Sequence, residues 1–137
     1  MRKFNPFYLA LAVLPLSLSS MATDLNESKP LLCATIDAIE CDGRTSECQV
    51  GTAEMVNLPQ FVRIHVKERK IETVRQGGGG LSSTIMDQKR EDGKLILQGM
   101  EGGRGWSLVI VEETGKMSAA IAGDHVSFVV FGNCTTL

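Results

Sequence analysis

Past Pro59 the chain contains no further proline, and turn signals recur about every ten residues to its end. That cadence is the mark of an antiparallel meander. Residues 61–67 alternate, with Val62, Ile64 and Val66 on one face and Arg63, His65 and Lys67 on the other. Residues 70–76 read as the next strand, and Gly77-Gly78-Gly79-Gly80 as a flexible loop. Residues 82–89, 94–100, 105–112, 116–122 and 126–131 read as further strands. The turns between them are Asp92-Gly93, with type I′ composition, then Glu101-Gly102-Gly103, Glu113-Thr114-Gly115 and Gly123-Asp124. With residues 31–40 in front, the count is about eight strands. The expected fold is all-β: a small up-and-down barrel or a curled meander sheet, because closure removes exposed strand edges.

Two stretches do not fit a one-sided sheet. In Trp106-Ser107-Leu108-Val109-Ile110-Val111 and in Phe128-Val129-Val130-Phe131 both faces are apolar, which predicts cover on two sides. The candidates for that cover are residues 51–60, which read as one helical turn ended by Pro59 or as a plain connector, and a second subunit.

The chain opens on Met1-Arg2-Lys3, an apolar run from Phe7 to Leu18 and the small-x-small site Ser20-Met21-Ala22, so residues 1–22 read as a secretory signal. The apolar run is broken by Pro15 and is too short to span a bilayer. Residues 23–30 are polar, end in Pro30 and read as a disordered leader, leaving 31–137 as one β domain. A periplasmic or secreted location follows, and with it an oxidising one.

In such a compartment Cys33, Cys41, Cys48 and Cys134 imply two disulfides in one of three pairings. Cys41–Cys48 would close the polar loop between two paired segments, and Cys33–Cys134 would tie the first strand to the last. The spacings are not those of zinc knuckles, so neither a metal nor another cofactor is expected.

Chemistry-bearing constellations are scarce. The only histidines are His65 and His125, and Ser107 in Gly105-Trp106-Ser107 is not a nucleophile elbow. The glycine-rich run from Gly99 to Trp106 lacks the Lys-Ser/Thr pair of a phosphate loop and reads as a hairpin turn leading to a core tryptophan. Carboxylates at Asp92, Glu101, Glu112, Glu113 and Asp124 fall at turns, where solvated acids are ordinary. The one patterned surface feature is the stripe Arg63, His65, Lys67, Arg69, which alternating spacing places on one side of a strand. Such a stripe suits an acidic protein or envelope component. Nucleic acid is disfavoured, because no aromatic side chain interleaves with the charges and the formal net charge is −2.

Leu31-Leu32-Cys33-Ala34, Glu40-Cys41-Asp42, Asn57-Leu58-Pro59, Gly103-Arg104-Gly105-Trp106-Ser107, Thr114-Gly115-Lys116-Met117 and the ending from Phe128 to Cys134 resemble a family of short, secreted, uncharacterised bacterial proteins. That resemblance implies secretion and the cysteine pattern, and supplies no site. In architecture the chain is also similar to C-type periplasmic lysozyme inhibitors, eight-stranded barrels whose two ends are joined by a disulfide, with Asn133-Cys134 carrying the likeness. Their inhibitory Ser-Gly-x-x-Tyr loop is missing.

The leading expectation is a non-enzymatic envelope protein that binds a partner. A carrier of a small apolar ligand is the first alternative, and an interior void of a few hundred Å³ would favour it. A hydrolase using turn carboxylates is the second, and would need two of them to converge in a cleft.

Overall fold

The computed structural model describes Leu25 and residues 28–74 and 80–137. The proposed signal, and the loop glycines Gly77, Gly78 and Gly79, lie outside the described residues. Among the described residues nine antiparallel strands follow one another: β1 (Leu31–Asp42), β2 (Glu47–Gly51), β3 (Phe61–His65), β4 (Lys70–Thr73), β5 (Ser82–Glu91), β6 (Lys94–Glu101), β7 (Arg104–Val111), β8 (Lys116–Ala122) and β9 (Val126–Thr136). No helix occurs among the described residues. From β3 to β9 each strand pairs with the next, and β1 pairs with both β3 and β9, closing an eight-stranded up-and-down barrel.

β2 is the strand beyond the expected eight. β1 is 12 residues long whereas β3 is only 5, so β3 covers one edge of β1 from Leu31 to Ala34 and β2 covers the same edge from Ala38 to Asp42. The handover falls at an irregularity between Thr35 and Asp37 in the pairing of β1 with β9. An extra residue there bends the strand and re-aims its side chains.

Both expected disulfides form. Cys33 sits opposite Cys134 at the β1–β9 seam and joins residues 101 apart, while Cys41 sits opposite Cys48 across the β1–β2 hairpin. Turn chemistry follows the sequence closely. Asp92 and Gly93 have φ of 49° and 69°, and Gly102 and Gly103 have 56° and 77°, the two consecutive positive values a two-residue I′ hairpin demands.

The interior has two unequal halves. One end, which holds the β3–β4, β5–β6 and β7–β8 turns, is packed with Leu31, Ile64, Ile85, Leu95, Leu97 and Ile110, all at most 1 % exposed. Val66 enters the same core, and so does Leu25. The leader is therefore not wholly detached, because this one apolar side chain among polar neighbours is buried by the barrel. At the other end lie the β1–β2 hairpin, the β6–β7 and β8–β9 turns and residues 52–60. Those residues form turns rather than a helix, with the Leu58 N–H donating to the Ala53 carbonyl at 2.8 Å. Ala53 and Val56 are buried there, so the segment folds over the barrel end and does not cover the outer face of β7 or β9. On β9 that face is open, with Val129 and Phe131 exposed, so residues 52–60 are not the cover that the two-sided pattern predicts.

Candidate functional site

The basic stripe is not a continuous row on one strand. Val66 is buried on the same side as Ile64, as alternation expects, but the strand ends at His65 and the chain turns, the Arg69 N–H donating to the Val66 carbonyl at 3.2 Å, so Lys67 and Arg69 sit in the β3–β4 turn. Acidic side chains interleave with what remains. Arg63 lies opposite Glu72 in register, His65 Nε2 is 3.2 Å from Glu72 Oε2, and His65 Nδ1 is 3.7 Å from Glu68 Oε2. Lys70 also pairs with Glu72, and its hydrogen bond is the main cause holding the Glu72 carboxyl below the usual range, with His65 adding to it. The surface is thus a mixed ion-pair network rather than a field of one sign, and such exposed pairs contribute little each.

The turn carboxylates do not gather. Asp92, Glu112 and Glu113 lie at the packed end, Glu101 and Asp124 at the other. Glu112 pairs with Arg90, and Asp124 with its neighbour His125 at 2.8 Å. No group of three or more His, Cys, Asp or Glu side chains able to hold a metal occurs among the described residues.

What the structure does assemble is a cavity of about 250 Å³ inside the second half of the barrel. Its walls are chiefly Leu58, Val62, Ile71, Trp106, Leu108 and Ile121. The register explains why space remains there. Inward-facing positions at this end carry small side chains, namely Thr35, Thr73, Ser83, Gly99 and Ala119, where the packed end carries leucine and isoleucine. Pro59 and Leu58, from the segment folded over this end, form part of the wall.

Trp106 is the fixed wall of this cavity. Gly99 lies directly opposite it on β6, and a Cβ there would be 2.3 Å from Trp106 Cζ2 and 2.5 Å from the Thr84 carbonyl oxygen, so the indole occupies the space a side chain would take. The indole Nε1–H donates to Ser83 Oγ at 3.0 Å, and Ser83 Oγ–H donates to the Met100 carbonyl at 3.3 Å. The polar tip is thereby satisfied and the apolar ring faces the void. Thr73 Oγ1 is likewise engaged, accepting from the Leu81 N–H at 2.8 Å.

At the mouth stand two opposite charges, Glu101 and Arg104. They are register partners across the Gly102-Gly103 turn and continue the inward phase of Gly99 and Trp106. Neither has an ion pair or a side-chain hydrogen bond among the described residues. Exposed apolar side chains stand at the same end, including Val50, Met55, Phe61, Val74, Leu81 and Met100. The sequence raised a cavity as an alternative but did not locate it, because its signal, small residues at inward positions of one end only, emerges once the register aligns eight strands.

No family model matches the chain, and neither the curated proteins nor the solved structures contain a match.

Proposed function

We propose that this is a non-enzymatic binding protein whose barrel takes up a small, largely apolar molecule. The observation that carries the reading is the 250 Å³ cavity, open at one end and lined by Trp106 and aliphatic side chains. Interior cavities of about 150 Å³ already accommodate benzene, so this one suits a medium-length chain or a ring with a short substituent. The mouths of β-barrels are common ligand sites. The two disulfides are consistent with an oxidising extracellular or periplasmic location, and the signal-like residues 1–22 fit export to it.

Trp106 is the only tryptophan, so its fluorescence reports on the cavity without labelling. Titration of the oxidised protein with 1-octanol should give a saturable change in intensity or emission maximum. Ala119→Leu, which places a larger side chain on the cavity wall, should abolish the response while leaving stability equal or higher by about 1 kcal/mol. A wild-type signal that stays linear to the solubility limit, together with no rise in thermal midpoint, would refute the proposal.

A further inference from the structure

We infer that the preferred ligand carries both charges in its polar head: a zwitterionic amphiphile of the α-amino acid type, with its ammonium toward Glu101, its carboxylate toward Arg104 and its apolar side chain in the cavity. The inference rests on the cavity reading above and adds the chemistry of the head group. Three observations support it. Glu101 and Arg104 both line the cavity, and both belong to the inward phase of their strands. Although directly opposite in register, they form no salt bridge with each other.

The reason is visible in the fold. Arg104 leans away from β6 toward the β8–β9 turn, where a Cβ on Gly123 would lie 3.2 Å from Arg104 Cγ and 3.4 Å from its Nε. Glu101 is on the β6 side of β7 and Gly123 on the β8 side, so the Arg104 side chain leans to the side of β7 away from Glu101. A singly charged head would be attracted by one of these groups and repelled by the other. An ammonium and a carboxylate on one carbon satisfy both, which is the sense of electrostatic complementarity. The hydroxyls of Ser83 and Thr73 are already engaged, which leaves the Thr35 hydroxyl and the two rim charges to read the head, and only the rim groups are charged.

The test compares probes of one chain length by Trp106 fluorescence at low salt: 2-aminooctanoate, octanoate, 2-aminooctane and 1-octanol. Wild type should bind 2-aminooctanoate about fivefold tighter than either singly charged probe, the upper range for an exposed ion pair. Glu101→Gln should bring 2-aminooctanoate and octanoate to equal affinity while keeping the preference over 2-aminooctane, and Arg104→Gln should do the reverse. Because ratios are read within each variant, a general weakening does not imitate the result. Ratios below twofold in wild type, or ratios untouched by both substitutions, overturn the head-group inference while 1-octanol binding upholds the cavity. Absence of binding by all four probes overturns both.

Discussion

Gly99 illustrates how one missing side chain shapes this protein. It is a strand residue in β6, not part of the hairpin turn, and its role is close approach: the Trp106 ring lies where a Cβ would be. Gly99→Ala should therefore push the indole off its seat, breaking the hydrogen bond to Ser83 and costing about 1–3 kcal/mol, the usual penalty for overpacking. Urea denaturation gives the loss, and a shifted emission maximum in the folded baseline identifies its origin. At this scale the sequence was partly readable. Trp106 is inward-facing as expected, because an aromatic opening an apolar strand has the most surface to bury. Lys67 and Arg69 left the expected row because β3 ends at His65 and the chain turns back toward β4, while Val66 stays buried on the same side as Ile64.

Among the elements, β1 carries the most weight. It pairs with three other strands and holds one cysteine of each disulfide. Replacing Cys33 and Cys134 together by alanine frees a loop of about a hundred residues and should lower unfolding free energy by about 4 kcal/mol, whereas the Cys41/Cys48 double replacement should cost less, about 2 kcal/mol, because the closed loop is short. Parallel denaturant titrations would check the order, and equal losses would contradict it. The strand ends were legible because glycines and acids mark the turns: Asp92-Gly93 and Gly102-Gly103 need positive φ, and few other dipeptides supply it. β2 was not legible as a strand in its own right. Its residues, Glu-Cys-Gln-Val-Gly, are mostly exposed and lack a buried face to impose period-two patterning.

At the scale of the molecule, the two ends of the barrel divide the work: one is filled with branched aliphatic side chains and provides the core, the other is hollow and carries the candidate site. Both chain segments that enter and leave the β domain are at the filled end, where the Leu137 N–H donates to the Pro30 carbonyl at 2.9 Å. A circular permutant that links Leu137 to Pro30 and opens the chain between Asp92 and Gly93 should keep the barrel, both disulfides and the Trp106 response to 1-octanol, because the new ends fall at a turn remote from the cavity. Circular dichroism, thiol counting and the same fluorescence titration would show whether it does. Whatever is joined at Pro30 or Leu137 departs from the base of the barrel. A copy immobilised by either terminus would stand like a cup on its foot, its opening turned outward and accessible.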